Sequence, residues 1–357
     1  MDKTFQKNCL SLLSLGIGHN AHPNTCSLDW PAIQALAIKQ GILGLVIDGI
    51  ERLPVSERPP KDLMLLMVGG VVQGYENRYE LYKKSIATLA GFYNAHGLKM
   101  MLLKGYACGL YWFKPEHRPY GDIDIWLFGK YKEADALLAK EKGIKIDRSH
   151  HHHTVFGWGG FTVENHYDFV NVHTHRSSAE LERILKDQGN DDTHFVDVEG
   201  ERVYLPSPNL HALFLVKHLV SHFTSTSINL RQVLDWAFFV KAHGAEVDWE
   251  WLLPLLDKFK MRSLFDCVNA ICVEDLGFSV DIFPYVKFDP FLKERVLEDI
   301  LEPKYVAAEP PGFVSRLMYK YRRWQGNAWK QKLCYPESRW SSFWWGLRAH
   351  VIKPTHN

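Results

Sequence analysis

Apolar residues recur at mixed spacings of three and four through residues 1 to about 95, and predict helices. "WPAIQALAIKQGILGLVIDGI" is one such stretch. "KDLMLLMVGGVVQGYENRYELYKKSIATLAGFYNAHG" reads as one long helix or a broken pair, with Gly97 as its C-cap. The period then shortens. "LKMMLLKG" predicts a buried strand, "YACGLYWF" a short helix and "DIDIWLF" a second strand. "KYKEADALLAKEKG" predicts an amphipathic helix closed by Gly143. "IKIDRSHHHHTVFGW" and "GFTVENHYDFVNVHTH" predict two strands around a Gly159-Gly160 turn. Residues 97 to 175 are therefore expected to form a small mixed α/β unit. From Ser207 the helical period returns, with Ser and Asn as capping residues before "LHALFLVKHLVSHF". "INLRQVLDWAFFVKAHG", "DWEWLLPLLDKFKM" and "RSLFDCVNAICVEDLG" follow.

Composition narrows this picture. The chain has 357 residues, 46% hydrophobic and 23% charged, enough for two or three globular domains. Its formal net charge of +1 gives no global pointer to nucleic acid or an acidic membrane. It holds no 18-residue apolar run, and its N-terminus lacks signal-peptide architecture. Cys9, Cys26, Cys108, Cys267, Cys272 and Cys334 are scattered, with no CxxC pair. Reduced thiols and a cytoplasmic location are expected. Residues 311–357 differ from the rest: nine Lys or Arg stand against one Glu, with Trp324, Trp329, Trp340, Trp344 and Trp345.

The chemistry concentrates in "LLKGYACGLYWFKPEHRPYGDIDIWL". Strand residues two apart share a face, so Asp122 and Asp124 project together while Ile123 and Ile125 point into a core. Paired carboxylates repel unless a cation sits between them. A hard divalent ion takes oxygen ligands and keeps positions open for phosphate oxygens. Lys104-Gly105 sits where a strand turns into a helix, a place where backbone N–H groups approach phosphate. Arg118 could contact phosphate through both of its guanidinium arms, or be an ordinary surface arginine paired with Glu116. Glu164 and His166 in "TVENHYDF" share a face of a later strand. If that strand lies beside the DID strand, Glu164 completes a three-carboxylate cluster suited to two-metal chemistry.

These residues carry a resemblance. A strand, Lys-Gly and a helix, then R-x-x-x-D-I-D, then a V-E-x-H strand, resembles the nucleotidyltransferase superfamily. More narrowly it is similar to an uncharacterised bacterial nucleotidyltransferase family, the NTP_transf_5 type. "LPSPNLHALFLVKHLVSHF…INLRQVLDWAFFVKAHGAEVDWEWLL" is similar to that family's helical half. The resemblance spans about residues 85 to 300. It implies an α+β, Pol β-like core, a small mixed sheet with flanking helices, between N-terminal and C-terminal helical regions. The expected division is 1–95 helical, 96–205 nucleotidyltransferase core, 206–310 helical and 311–357 a basic, Trp-rich tail. It further implies transfer of an NMP from an NTP, ATP first among them, to a hydroxyl-bearing acceptor with Mg²⁺ or Mn²⁺. Asp122 and Asp124 would hold metal, with Glu164 the third carboxylate where the superfamily has Asp. Lys104 and Gly105 stand where the superfamily has Gly-Ser, and Arg118 would assist at the phosphates. The acceptor stays open among a small molecule, a sugar, a protein and RNA. An inactive nucleotide- or protein-binding scaffold on the same fold is the alternative.

Other residues are weighed beside these. His150–His153 form a tract that alternates faces if extended; solvent-facing or structural histidines are expected there, with substrate contact and metal binding as the competing readings. His166 is a candidate for contact with substrate. His218 and His222 stand four apart on one helix, and Arg231 and Asp235 four apart on the next. By the resemblance, His218, Arg231 and Asp235 are candidates for the substrate cleft. The tail is expected to wrap the domain and bury its tryptophans. Contact with nucleic acid, a membrane surface or an acidic partner is the competing reading.

Overall fold

A computed structural model describes residues 2–25, 28–284, 287–305 and 310–352, with side chains up to residue 345. Cys26 lies outside these residues; the other five cysteines are free and buried.

The chain packs as two compact units. The first takes residues Met1–Tyr75, Leu215–Ala245 and Trp249–Tyr335. It opens with helices α1 (Lys3–Ile17), α2 (Trp30–Gln40), α3 (Leu43–Glu51) and α4 (Lys61–Val71). α1 and α3 cross closely because each carries a glycine at the contact. A Cβ on Gly16 would sit 1.9 Å from the Leu45 carbonyl oxygen, and one on Gly49 2.3 Å from that of Leu12.

A π-helical turn, Val72–Glu76, separates α4 from α5 (Asn77–Ala95), so the long apolar stretch is a broken pair. α5 closes as expected at Gly97, in the left-handed region at φ 69°. Leu98 N–H reaches back to the Tyr93 carbonyl, satisfying an end carbonyl of the helix. α5 belongs to the second unit, built on Glu76–Phe214. β1 (Met101–Leu102), α6 (Tyr106–Gly109), β2 (Ile123–Trp126) and α7 (Tyr131–Lys142) follow, then β3 (His153–Trp158) and β4 (Phe161–His166). Two elements carry no sequence assignment: α8 (Ser178–Gln188), and a hairpin of β5 (Phe195–Val198) and β6 (Glu201–Tyr204).

The six strands form one mixed sheet in the order β3-β4-β2-β1-β6-β5. β2 runs antiparallel to β1 and parallel to β4; β3 runs antiparallel to β4, and β1 parallel to β6. Tyr82, Ile86, Leu89 and Tyr93 of α5 pack on Leu102, Ile123, Ile125 and Val163 of the sheet. Each such side chain contributes about 1.5–3 kcal/mol by leaving water. Every residue of β2 is buried, because both faces of this central strand are covered. Trp126, on the opposite face from the isoleucines, stacks on Phe169 at 4.5 Å and donates to the Gly189 carbonyl.

The remaining helices are α9 (Pro208–Ser225), α10 (Leu230–His243), α11 (Trp249–Lys258), α12 (Arg262–Glu274), α13 (Pro290–Leu301), α14 (Phe313–Gly326), α15 (Ala328–Cys334) and α16 (Arg339–Ile352). α10 begins with a capping box between Asn229 and Gln232. Its Trp236 indole donates to Asn269 on α12 inside the core.

The tail packs only in part, and the Trp345 indole of α16 donates to the Val172 carbonyl at 3.3 Å. α15 docks: Lys330 is buried, with its ammonium on Asp299 at 2.6 Å and on the Thr226 carbonyl at 2.7 Å. Trp329 lies under the Arg295 guanidinium and edge-on to Phe223. α14 buries no residue, and Trp340 and Trp344 of α16 are exposed. The α14 apolar residues Phe313, Val314, Leu317, Met318 and Tyr321 all stay exposed.

Candidate functional site

The site grows from the parallel register of β2 and β4. Asp124 pairs with Glu164 and Trp126 with His166, so the period of two places Asp124, Glu164 and His166 on one face. Val163 and Asn165 take the other face. There the Asn165 amide and the Thr154 hydroxyl both donate to Asp135 of α7, at 2.9 and 3.1 Å. That buried network ties the helix to the strands carrying the site.

Asp122 precedes the strand instead of belonging to it and is exposed. Its backbone is fixed: the buried Tyr82 hydroxyl donates to the Asp122 carbonyl at 2.7 Å. Gly105 sits directly over that phenol at φ 58° and ψ −104°. α6, which follows, has only four residues. It is too short to bring the helix dipole expected at the Lys-Gly turn. The Lys104 side chain turns instead onto Asp124, Nζ to Oδ1 at 2.8 Å. Arg118 is buried rather than at the surface, with its guanidinium on the Tyr120 ring and donating to the Pro119 carbonyl. The charges of Asp124, Arg118 and Asp122 all act on the Tyr82 hydroxyl, so these groups share one electrostatic neighbourhood.

Asp124 is the centre of this arrangement. Burial alone would raise its pKa, but Lys104 and His166 outweigh burial and hold the carboxyl far below the usual range. Lys104 is the complement: burial opposes its charge, and Asp124 more than restores it, raising its pKa. His166 donates from Nε2 to Asp124 at 3.2 Å and lies 3.5 Å from Glu164 Oε2. Its Nδ1 faces the Asp168 carbonyl at 3.2 Å. With acceptors at both ring nitrogens the imidazole is held as a cation. Burial resists that, and the two carboxylates raise its pKa to about 9. Glu164 is half-buried and its pKa is lowered, His166 and His153 overcoming its burial.

The histidine tract is not one alternating strand, and of the two forms expected, structural or solvent-facing, His151 and His153 take the buried one. Only His153 lies in β3; His150, His151 and His152 form the bend before it. The bend turns His152 inward beside His153, whose partner across the antiparallel ladder is His166. Burial and neighbouring histidines lower the His152 pKa to about 2, and burial lowers that of His153 to about 4. The signal in the sequence was the tract's position one strand from V-E-x-H.

Among the described residues, two groups bring ligand atoms within 4.8 Å of one another: Asp124, Glu164 and His166, and His152, His153 and His166. The Asp122 carboxylate stands outside both. The first group offers two carboxylate oxygens that converge without a bound cation only because Lys104 and His166 neutralise them. It therefore fits a hard divalent ion that would take over that role. His218, Arg231 and Asp235 belong to the helical unit. The His218 and His222 rings meet edge-on at 4.3 Å, and Asp235 is buried.

The segment after β4 is held by Glu182 of α8, which accepts the backbone N–H groups of Phe169 and Val170 at 3.0 and 2.9 Å. Lys186 bridges it to Asp168. Burial outweighs these partners and pushes the Glu182 pKa up to about 7, from an ordinary value of 4.5. Between those values the native state binds more protons than the unfolded chain. This carboxyl therefore favours folding at low pH, and its contribution is lost as pH rises toward 7. The window is worth on the order of 3 kcal/mol. Urea unfolding of Glu182→Gln from pH 4.5 to 8 is expected to lack that part of the slope, whatever its absolute stability. An unchanged slope would assign the titration to another group.

This mixed sheet, with acidic residues facing each other across parallel strands and a lysine turn beside them, is a nucleotidyltransferase-type α+β core. The chain belongs to the NTP_transf_5 family, described as uncharacterised nucleotidyltransferases, whose model matches residues 27–277. No curated protein matches the chain. Among solved structures it is similar to an antigenic nucleotidyltransferase-like protein from Paracoccidioides brasiliensis. That match has 16% identity over 45% of this chain and 75% of the other, at a TM-score of 0.32. No helix among the described residues is long and apolar enough to cross a membrane.

Proposed function

We propose that the protein is a divalent-metal-dependent nucleotidyltransferase that moves an NMP from an NTP, with ATP the first candidate, to a hydroxyl-bearing acceptor. The carrying observation is the register that sets Asp124 against Glu164, with Lys104 on Asp124 at 2.8 Å. Asp124 and Glu164 would hold the ion, with Asp122 joining them from the strand entrance. Bound there, Mg²⁺ or Mn²⁺ would supply charge neutralisation at the phosphates.

The chain's own residues do the rest. Lys104, freed from Asp124 as the carboxylate turns to other partners, carries its charge to the triphosphate. Gly105 lets the backbone approach, and Arg118 adds positive potential from behind Tyr120. Glu164, half-exposed, takes the proton of the acceptor hydroxyl. The acceptor oxygen forms its bond to the α-phosphorus as the bond to the β-phosphate oxygen breaks, and pyrophosphate leaves. His166 holds both carboxylates in place. His218, Arg231 and Asp235 are retained as candidate substrate contacts.

The test is pyrophosphate release and self-labelling with each of the four α-labelled NTPs, with and without Mg²⁺. Glu164→Gln keeps the shape of a half-exposed side chain and is expected to fold normally while losing about 100-fold or more in transfer. Full turnover in that variant would remove Glu164 from the mechanism. A second reading has an observation of its own: Asp124 is already neutralised by Lys104 and His166, as in a site that binds without reacting. Mg²⁺-dependent NTP binding with no pyrophosphate release for any acceptor would favour that scaffold.

A further inference from the structure

We infer that His152, His153 and His166 form a binding site for a nitrogen-preferring divalent transition metal of the Zn²⁺ type, which overlaps the oxygen-rich position at Asp124 through His166 and Glu164 and forms as His166 gives up the Nε2 proton it holds toward Asp124. A ring nitrogen of each lies within 4.8 Å of the others. Ring centroids are 4.3 Å apart for His152 and His153, 5.2 Å for His153 and His166, and 5.6 Å for His152 and His166. In a tetrahedral zinc site the ligand nitrogens stand about 3.3 Å apart. The three imidazoles therefore need to close by about 1.5 Å at most, a matter of side-chain rotation.

Two observations separate this cluster from packed core histidines. His152 Nδ1 and His153 Nδ1 are buried and have no hydrogen-bond partner. A buried polar nitrogen left this way costs about 1–3 kcal/mol. Two buried, unpartnered ring nitrogens on neighbouring imidazoles are what a metal would satisfy. His153 is itself only 6% exposed.

The cluster is also built in advance. The His152 carbonyl accepts the N–H groups of Tyr167 and Asp168 at 3.0 and 3.1 Å, and the His150 carbonyl accepts the Tyr167 hydroxyl at 2.8 Å. These bonds clamp the bend onto the end of β4. His166 Nδ1 is oriented by the Asp168 carbonyl, the outer hydrogen bond that metal-bound imidazoles use. Glu164 Oε2, 3.7 Å from His153 Nδ1 and 3.5 Å from His166 Nε2, is placed as a fourth ligand. Three nitrogens and one carboxylate oxygen favour Zn²⁺, Co²⁺ or Ni²⁺ over Mg²⁺, which takes oxygen and water.

This inference holds whether or not the chain transfers nucleotides. The experiment uses untagged full-length protein, stripped of metal and titrated with Co²⁺, reading the visible bands of tetrahedral cobalt and their displacement by Zn²⁺. One equivalent is expected to give the tetrahedral spectrum. His153→Asn and the less buried His152→Asn are each expected to weaken Co²⁺ binding at least about tenfold. His150→Asn removes a ring that stacks on His153 at 4.7 Å but offers no nitrogen to the cluster, and is expected to cost clearly less than His153→Asn. Octahedral spectra, or equal losses for His150→Asn and His153→Asn, would assign the ion to an open histidine tract and overturn the site. Pyrophosphate release is read separately on the same variants. A protein that binds tetrahedral cobalt yet releases none keeps this site and loses the transferase reading.

Discussion

Asp124→Asn is expected to lower NMP transfer by at least about 1,000-fold, the several kcal/mol that a metal-held carboxylate commands in phosphoryl transfer. The substitution will not be structurally silent. Asp124 is 5% exposed and neutralises two cations, Lys104 at 2.8 Å and His166 at 3.2 Å. Removing one member of a buried charge cluster leaves the others uncompensated, at about 3 kcal/mol. Loss of activity in the single variant would therefore confound chemistry with stability. The double variant Lys104→Met/Asp124→Asn, read against Lys104→Met alone, separates them. It deletes the Lys104–Asp124 pair together, and His166 keeps Glu164 at 3.5 Å. Its unfolding midpoint is expected to return toward that of the parent while transfer stays absent. A double variant that regained transfer would show that Asp124 serves only to balance Lys104.

Gly105→Ala is expected to destabilise the second unit by about 2–4 kcal/mol, combining backbone strain with a collision. At φ 58° and ψ −104° the residue lies outside the regions open to L-amino acids with a Cβ. An added Cβ would stand 2.3 Å from the Tyr82 hydroxyl oxygen. That hydroxyl holds the Asp122 carbonyl, so the collision is transmitted to the entrance of β2. Lys104, one residue away, would be displaced as well. A misplacement of about 1 Å at a reacting centre can cost about 100-fold in rate. Thermal unfolding should fall by about 5–10 °C. Adding Tyr82→Phe should recover part of the loss by removing the colliding oxygen, but not the part due to φ. Full recovery would place the whole cost in the collision and none in the backbone.

Much of this site was legible before the fold. The i, i+2 spacing put Ile123 and Ile125 in the core, and Glu164 and His166 on one face. The Gly159-Gly160 turn and the Gly143 cap were read from local chemistry, because turns and caps are decided by a few neighbouring residues. Asp122 was legible only as a motif. The strand starts one residue later, at Ile123, so its side chain does not share the carboxylate cluster formed by Asp124 and Glu164. α8 and the β5–β6 hairpin went unread because their apolar positions are sparse. β5 is largely exposed, and α8 is mostly charged with a narrow buried stripe.

The sequence by itself determined the strands that carry the site, the face that Glu164 and His166 share and the Gly159-Gly160 reversal between two of those strands. It also carried the family pattern that the match over residues 27–277 establishes. Only the tertiary structure decided who meets whom. Lys104 is bonded to Asp124 rather than standing free, because the antiparallel pairing of β1 with β2 brings the end of one strand beside the other. Arg118 is buried on Tyr120. His152 and His153 join His166, because the β3–β4 register sets His153 opposite it and two backbone bonds draw the bend inward. Local periodicity fixes the face on which a side chain lies. Strand order and register, set by contacts between residues far apart in the chain, fix its neighbours, and the neighbours fix its charge.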